Sequence, residues 1–413
     1  MADTSKNPPT TQITARTIGD VVTVMVGDPV AGGQCIARAD GQVVFVRDAI
    51  PGEVVDVQIT GSGKRGAFLR GDVVEVREPS EHRVEPPCAI AHECGGCDWQ
   101  HVDVDFQREL KARVVVDAMR RTGGVSTVAG MPINEAVCVE AISDGDGLHW
   151  RTRMRYAVAD DGLVGLRAAR SHKVIPASDC PLAVTAISDA ITPELPTDGG
   201  RPGTDTLVAA ASSSGEVAIV DPHDRGTLTE RVRDRKFEVA TTGFWQVHPQ
   251  APTTLVDAVL ELAAVTPGET VLDLYSGVGL FAAFLAEAVT LTGRVDAIEG
   301  DKVASKLGRS NLGDLPWVHH HCAPVERWLH GGHRSHADVV VLDPPRSGAG
   351  KDVVTAITRR HPRSIVYVAC DPVALARDTK YLAALGYTLS TLRSFDMFPM
   401  TKHVESVALF TRT

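Results

Sequence analysis

Cys370 is the residue whose type and position most clearly suggest covalent chemistry. It lies in the motif Val368-Ala-Cys-Asp-Pro372, at the end of an apolar run that reads as a buried strand. A thiol at the carboxyl edge of an α/β sheet faces the ligand crevice, where a positive local field would favour the nucleophilic thiolate. Such a thiolate can add to carbon 6 of a uracil ring, and the enolate formed at carbon 5 can attack a sulfonium methyl group. A small buried cysteine without function is the alternative.

This chemistry also requires a proton acceptor. After methylation, a base must remove the proton on carbon 5 so that the thiol can leave by elimination. Glu405, in the segment Lys402-His-Val-Glu405, is the predicted acceptor, and His403 is the competing base. Taken alone, Glu405 could equally be an ordinary surface carboxylate.

The motif Asp343-Pro-Pro-Arg346 ends another apolar strand run, VVVLDPP. Methyltransferases that act on exocyclic nitrogens often carry a similar motif followed by an aromatic residue that stacks on the target base. Arg346 stands at that position here, which points away from amino methylation.

A glycine turn predicts the site of the methyl donor. The run VLDLYSGVGLF reads as strand, turn and helix start, and ligands of open α/β sheets bind at such turns. The dinucleotide fingerprint is incomplete, because Gly277 and Gly279 are followed by Ala282 instead of a third glycine. Asp273 precedes the turn and would repel a pyrophosphate, while Glu299 ends the next strand, where a carboxylate can bind ribose hydroxyls. The pattern favours S-adenosylmethionine over a nicotinamide dinucleotide, although Asp273 could simply bond the turn.

Four cysteines form a candidate metal site. Cys88, Cys94 and Cys97 fall within ten residues, and Cys180 precedes a proline, as the last ligand of iron–sulfur sites often does. Three close thiolates and one remote thiolate suit a cubane cluster or a structural zinc ion, and unliganded reduced thiols are the third possibility. The spacing alone does not separate iron–sulfur from zinc.

The elements that position these residues fall into four predicted segments. Residues 1–13 read as a disordered tail, and residues 14–78 as a small all-β barrel, because short β-branched runs are broken by glycine. Residues 79–240 read as a central α+β region that contains the cysteines. Residues 241–413 alternate strand and helix signals, which predicts a parallel α/β sheet covered on both faces.

Three local features within these segments bear on packing and RNA contact. A helix is predicted over about 104–121, and its apolar stripe indicates core packing. We expect this helix to pack on the catalytic domain. Lys64, Arg65 and Arg70 are expected on or beside one hairpin, as a solubilising turn or a phosphate-contacting edge. A Pro/Gly/Thr-rich loop is expected at 193–205.

Bulk composition narrows the functional class. The chain has 413 residues, a formal net charge of −10 and eight cysteines, with a polar start and no apolar run of the ~20 residues needed to span a bilayer. We therefore expect a cytoplasmic protein with no membrane association and no disulfide framework. The acidic balance argues against strong nonspecific RNA binding without excluding a local basic face. A monomer with no obligate protein partner is the expectation.

Over nearly its whole length the sequence resembles the bacterial RNA uracil-5 methyltransferases that combine a TRAM barrel with an iron–sulfur cluster. The resemblance implies a Rossmann-like class I methyltransferase domain, an N-terminal TRAM (OB-like) barrel and a central iron–sulfur region. It implies S-adenosyl-L-methionine and a [4Fe–4S] cluster as cofactors, and RNA as the partner, with large-subunit (23S) ribosomal RNA favoured over transfer RNA.

The resemblance also assigns roles to individual residues. The implied cluster ligands are Cys88, Cys94, Cys97 and Cys180; the methyl-donor contacts are Gln246, Tyr275, Leu280, Glu299 and Asp343; the catalytic pair is Cys370 and Glu405.

Two departures from the family pattern concern the site. Leu280 stands where relatives often have asparagine, so one donor contact is lost or replaced, and Asp371 stands where they have asparagine, which would raise the pKa of the thiol. Two other functions remain open. An RNA cytosine-5 methyltransferase also uses a thiolate, but typically carries a second cysteine in a Pro-Cys segment where this chain has Asp343-Pro-Pro. A noncatalytic RNA-binding protein on the same fold is the other.

Overall fold

The computed structural model describes residues 16–176, 179–191, 205–332 and 336–412. The described chain divides into two units, Met1–Arg83 and Val84–Thr413. The tail predicted for 1–13 lies outside the described residues, as does nearly all of the loop predicted for 193–205. The domain borders predicted at 78 and 240 stay predictions. Within the described residues, no helix is both long enough and apolar enough to cross a membrane.

Valine-rich strands form the first unit, and they close into a barrel in the order β1-β2-β3-β5-β4. Their bounds are β1 Val21–Pro29, β2 Cys35–Ala39, β3 Gln42–Arg47, β4 Val54–Ser62 and β5 Leu69–Glu78. Alternate side chains point inward, so that Val44, Val46, Val55 and Val57 are fully buried. The predicted all-β barrel is therefore confirmed.

The predicted basic hairpin is the connection between β4 and β5. Lys64 begins a short 3₁₀ turn there, and the side chain of Arg70 lies over the ring of Phe68, with 4.9 Å between the guanidinium carbon and the ring centroid. This cation–π contact fixes the direction of one positive charge on the hairpin.

The central part of the second unit contains one long helix and several short strands. The elements are α1 Val104–Ala118, β6 Thr127–Val128, β7 Met131–Pro132, α2 Ile133–Ala136, β8 Val139–Ala141, β9 Arg153–Val158, β10 Val164–Arg167, β11 Val174–Pro176, α3 Thr185–Ala190, β12 Thr206–Ala211, β13 Val217–Val220, β14 Thr227–Val232 and β15 Arg235–Ala240. Five of the strands form an antiparallel sheet in the order β11-β10-β9-β12-β13, and β14 pairs with β15.

Helix α1 matches its prediction closely. Asp103 caps its start by accepting a hydrogen bond from the backbone N–H of Phe106 (2.8 Å). The predicted apolar stripe of Phe106, Leu110, Val114 and Ala118 is buried. The helix ends three residues before the predicted boundary, because a π-helical turn, Met119–Gly123, follows it and closes at Gly124 with a positive φ of 69°.

The C-terminal part of the second unit alternates helices and strands. The elements are α4 Ala251–Ala263, β16 Thr270–Leu274, α5 Leu280–Val289, β17 Arg294–Glu299, α6 Lys302–Asn311, β18 Val318–Cys322, α7 Val325–His330, β19 Val339–Leu342, α8 Gly350–Thr358, β20 Ser364–Ala369, α9 Pro372–Ala384, β21 Tyr387–Asp396 and β22 Glu405–Arg412. Fully apolar strands such as β19 are buried on both faces, as parallel strands between helix layers must be.

The main sheet has eight strands in the order β18-β17-β16-β19-β20-β22-β21-β8. The first five run parallel, as predicted, but β22, which was predicted as a strand of the same parallel sheet, does not. Strand β22 is antiparallel to both β20 and β21, because the short connection 397–404 cannot supply the crossover that a parallel pair needs. Strand β8, from the central region, pairs in parallel with β21 and forms one edge of the sheet. Strands β18 and β21 were not predicted, since neither carries a continuous apolar run.

Candidate active site

The antiparallel register of β20 and β22 brings the predicted nucleophile and base together. Ala369, the last residue of β20, pairs with Ser406. Cys370 follows Ala369 and Glu405 precedes Ser406, so the two residues flank the last pair of this register, and the Glu405 charge acts on the Cys370 thiol. Glu405 is also paired with Phe395 across β21, so it is held from both sides and is only 4% exposed.

Asp343 joins this pair from the neighbouring strand. It follows β19 directly, and its backbone N–H donates to the carbonyl of Leu274 at the end of β16 (3.3 Å). Its charge acts on both Cys370 and Glu405, and so does that of the exposed Arg346, with the opposite sign. The end of the sheet therefore gathers a thiol, two carboxyl groups and one guanidinium.

The electrostatic environment of Cys370 differs from the expected positive field. Burial raises the pKa of the Cys370 thiol to about 12; Glu405, Asp343 and Asp371 add to the rise, and Arg346 opposes it. The thiol is therefore protonated in the protein without ligands. The predicted influence of Asp371 is present, although this carboxylate also caps α9 by accepting from the backbone N–H groups of Val373 (3.0 Å) and Ala374 (2.8 Å).

Both carboxyl groups of the site hold their protons more tightly than usual. Burial raises the pKa of Asp343 to about 7, and burial together with the charge of Asp343 raises the pKa of Glu405 well above its ordinary value. Two close carboxyl groups titrate as a pair, so ionising one disfavours ionising the other. Once ionised, Glu405 is a stronger base than a surface carboxylate.

The competing base, His403, faces Arg346. An Arg346 nitrogen lies 3.5 Å from Nε2 of His403. Burial and the neighbouring cations lower the pKa of His403 to about 4, so the ring is neutral near pH 7. Its ring also contacts Phe398 edge-on.

The glycine turn lies between β16 and α5, where the sequence predicts it. Gly277 and Gly279 both have positive φ angles (56° and 93°). A Cβ atom on Gly279 would lie 2.7 Å from Cδ1 of Leu312, so close packing also requires this glycine. The Glu299 carboxylate braces the turn by accepting from the backbone N–H of Gly277 (2.8 Å) and of Asp301 (2.6 Å).

Asp273 is a buried carboxyl group on the strand that leads into the glycine turn. It is 1% exposed, and neither carboxyl oxygen has a hydrogen bond of normal geometry within the described residues. Burial raises its pKa well above the ordinary value, opposed by the backbone of Ala282 and increased by the charges of Asp343 and Glu299. A buried carboxyl without partners is costly, so these oxygens suit a ligand that supplies donors.

The remaining predicted donor contacts differ in their surroundings. Tyr275 follows β16 with a positive φ of 63°, and its hydroxyl donates to Glu326 (3.3 Å). Gln246 is 8% exposed, in a segment where Thr152 binds the carbonyl of Val247 (2.9 Å). Leu280 begins α5 and packs into the apolar core.

The four predicted metal-binding cysteines line one cavity of about 860 Å³. All four are half-buried, and none forms a disulfide. Burial raises the pKa of Cys97 to about 12, and the thiols of Cys180, Cys94 and Cys88 add to the rise. Within the parts of the chain that the structure describes, no group of three or more His, Cys, Asp or Glu residues is arranged to hold a metal ion.

Arg346 is the functional residue whose role the sequence left unstated. Its replacement of an aromatic residue was evident, but its action on Cys370, Glu405 and His403 depends on how the loop after β19 folds. The signal that could have found it is its position three residues after Asp343, at the carboxyl end of a parallel strand.

The raised pKa of Asp343 predicts a pH effect on stability. Because the folded value of about 7 lies above the ordinary value of 3.8, the protonated carboxyl stabilises the fold below pH 3.8, and this stabilisation is lost as the pH rises to about 7. Asp343→Asn should therefore be more stable than the wild type, and its advantage in the free energy of unfolding should be about 2–3 kcal/mol larger at pH 8 than at pH 5. Urea unfolding of the ligand-free proteins measures this gain. An equal stability difference at both pH values would contradict it.

Two family models match the sequence. That of the TRAM domain matches residues 15–74, which include most of the barrel. That described as tRNA (Uracil-5-)-methyltransferase matches residues 333–413, which include Asp343, Cys370 and Glu405.

Relatives align along nearly the whole chain. A protein of Streptomyces avermitilis described as an uncharacterised RNA methyltransferase is 39% identical over 427 residues, which cover 95% of this chain and 98% of the relative. One of Bifidobacterium longum with the same description is 38% identical and covers 92% and 94%. Among solved structures, the Pyrococcus abyssi tRNA (uracil-54, C5)-methyltransferase in complex with S-adenosyl-L-homocysteine superposes with a TM-score of 0.69. It covers 94% of this chain and 100% of its own, and at 22% identity this likeness shows a shared fold.

Proposed function

This chain belongs to a family of bacterial RNA methyltransferases, and from that premise we propose that it methylates carbon 5 of a uridine in RNA, with Cys370 as a covalent nucleophile. The observation that carries the proposal is the register of β20 and β22, whose last pair, Ala369 and Ser406, is flanked by Cys370 and Glu405, two groups that also interact through charge. A thiol and a buried carboxyl group at the carboxyl edge of the sheet are the two groups that the reaction needs. The match of the uracil-5 family model to this part of the chain supports the choice of base and position.

The reaction follows from these two groups. The Cys370 thiol first loses its proton to water, and the thiolate then donates an electron pair to carbon 6 while the ring electrons move to form an enolate at carbon 5. The enolate attacks the methyl group of S-adenosylmethionine, whose sulfonium leaves as a neutral thioether. Glu405, in its ionised form, then takes the proton from carbon 5, the ring double bond re-forms, and the carbon–sulfur bond breaks to release the thiolate.

Forming the thiolate requires a change in charge around Cys370. The carboxyl groups of Glu405 and Asp343 hold the proton on the thiol, and Arg346 opposes them. A bound sulfonium donor would add a second positive charge at this edge of the sheet. Nearby positive charge lowers the pKa of a thiol, so nucleophile activation would be coupled to donor binding.

The donor would bind along the edge formed by β16 and β17. The Asp273 oxygens lack a hydrogen bond of normal geometry within the described residues and so suit a ligand that supplies donors. Glu299 keeps lone pairs for ribose hydroxyls beside its two backbone bonds. Gln246, Tyr275, Leu280 and Asp343 complete the proposed donor contacts.

RNA containing 5-fluorouridine tests the covalent mechanism. A base cannot remove fluorine from carbon 5 as it removes a proton, so the enzyme–RNA adduct should persist after denaturation when the methyl donor is present. Absence of an adduct would favour a noncatalytic RNA-binding protein. An adduct with RNA that contains 5-fluorocytidine, and none with RNA that contains 5-fluorouridine, would favour the cytosine-5 reaction. The Asp343-Pro-Pro segment argues against that reaction.

We propose that Cys88, Cys94, Cys97 and Cys180 hold a [4Fe–4S] cluster. The four thiols line one cavity and are all half-buried, which supports a shared ligand. Protein purified without oxygen should be brown and contain about four irons per chain, as a single cubane does. Cys97→Ala should lose most of that iron, whereas the exposed Cys138→Ala should keep it. Stoichiometric zinc without iron would refute the assignment.

We propose large-subunit ribosomal RNA as the substrate and the cytoplasm as its place of action. This choice rests on the resemblance of the sequence to the RNA uracil-5 methyltransferases. Mapping 5-methyluridine in ribosomal and transfer RNA of a deletion strain decides the matter: loss from ribosomal RNA is expected, and loss confined to transfer RNA would refute the choice.

A further inference from the structure

The turn that leads into Glu405 is a strained and deeply buried segment. It joins β21 to β22 and contains Met400, which is 6% exposed and has a positive φ of 65°. A non-glycine residue in this conformation persists only where its surroundings hold it in place. Because Glu405 begins β22 only five residues later, whatever holds Met400 also sets the start of that strand.

The segment before α1 and the helix itself bind both backbone groups of Met400. Its N–H donates to the side-chain oxygen of Gln107 (2.7 Å), and its carbonyl accepts from the backbone N–H groups of Asp98 (3.2 Å) and Trp99 (3.1 Å). The Gln107 amide nitrogen is itself fixed by the carbonyls of Trp99 (3.1 Å) and Val102 (2.8 Å). Gln107 is fully buried, so its side chain has little freedom to move.

A buried ion pair holds the other end of the turn. The Lys111 ammonium, one helical turn after Gln107, bonds the Asp396 carboxylate (2.5 Å) and the carbonyl of Phe398 (3.0 Å). The side chains of Lys111 and Asp396 are 0% and 2% exposed. Lys402 forms a partly exposed ion pair with Asp98, at 3.1 Å. Helix α1 and the residues before it therefore bind the turn by hydrogen bonds and ion pairs at Asp396, Met400 and Lys402.

Buried ion pairs add little net stability compared with apolar packing, and their best-attested use is to fix one arrangement. Here the arrangement that they fix is the path from Asp396 to Glu405. We propose that Lys111 and Gln107 are positioning residues that hold Glu405 in place to remove the carbon 5 proton. This inference rests on the proposed function and assigns a task in its final step to a helix of the central region.

Lys111→Met and Gln107→Leu test the proposal with unmodified RNA. A displacement of a catalytic group by about 1 Å can cost on the order of 100-fold in rate, so kcat should fall by about 10- to 100-fold. The KM for the methyl donor should stay near the wild-type value. Because Glu405 would reach the proton poorly, a denaturation-resistant, already methylated enzyme–RNA adduct should accumulate.

Two further variants separate positioning from stability. Lys111→Met combined with Asp396→Leu replaces the ion pair by apolar side chains, which should restore thermal stability but not turnover. Asp117→Asn removes an exposed ion pair with Arg121 from the same helix and should change neither readout. Full turnover in the stable double variant, or slow turnover in Gln107→Leu without adduct, would overturn the proposal. A wild-type enzyme that forms no 5-fluorouridine adduct would instead overturn the proposed function.

Discussion

Replacing Cys370 with alanine is expected to abolish methylation, with a loss on the order of 10⁴-fold or more, as removal of a covalent nucleophile costs other enzymes. Without the thiol, carbon 5 of uracil is too poor a nucleophile to take the methyl group. Methyl-donor binding should remain nearly intact, because Asp273 and Glu299 lie on other strands. Methyl transfer to RNA from labelled donor and donor binding by calorimetry are the two measurements.

The controls for this prediction use the other cysteines and a shape-conserving change. Cys138→Ala removes an exposed thiol and should retain activity. Cys370→Ser keeps nearly the same volume but replaces the thiol by a far weaker acid, so it should be inactive as well. Substantial methylation by either Cys370 variant, or loss of donor binding in Cys370→Ala, would contradict the assigned role.

Replacing Glu405 with glutamine is expected to trap the covalent intermediate. Glutamine keeps the size and hydrogen-bonding shape of the side chain but cannot accept the carbon 5 proton. Adduct formation should continue, since loss of the carboxylate removes a charge that raises the pKa of Cys370. Release should slow by about 10²- to 10⁴-fold, the usual contribution of a general base. A denaturation-resistant complex between the variant and ordinary RNA is therefore expected on a gel.

A matched carboxylate variant completes the experiment. Glu261→Gln removes an exposed carboxylate that pairs with Arg393 on the same domain, and it should turn over normally. Digestion of the complex trapped by Glu405→Gln should yield a nucleoside that already carries the methyl group. Normal turnover by Glu405→Gln would show that another group, such as His403, removes the proton.

Local patterns in the sequence determined much of this architecture. Valine-rich runs broken by glycine predicted the barrel, and the stripe from Phe106 to Ala118 predicted α1. Apolar runs followed by Gly277, Asp343 and Cys370 predicted strands whose carboxyl ends carry the site. These features depend on residues close together in the chain, where periodicity and turn chemistry decide the backbone.

Other features required contacts between distant residues. The reversal of β22, which brings Glu405 to the end of β20 that Cys370 follows, depends on a hairpin that includes the unpredicted strand β21. The entry of β8 into the main sheet and the burial of Lys111 against Asp396 also join segments far apart in the chain. Side-chain spacing within one segment carries no information about such pairings.

The types and order of the reactive residues were thus determined by the sequence itself: a thiol after one strand, a carboxyl group at the start of another, and four cysteines in the central region. Their protonation was decided by the tertiary structure alone. The pKa of Cys370 rises to about 12 because folding removes water from the thiol and brings Glu405 and Asp343 beside it. Desolvation and charge proximity are properties of the packed molecule, and no motif encodes them separately.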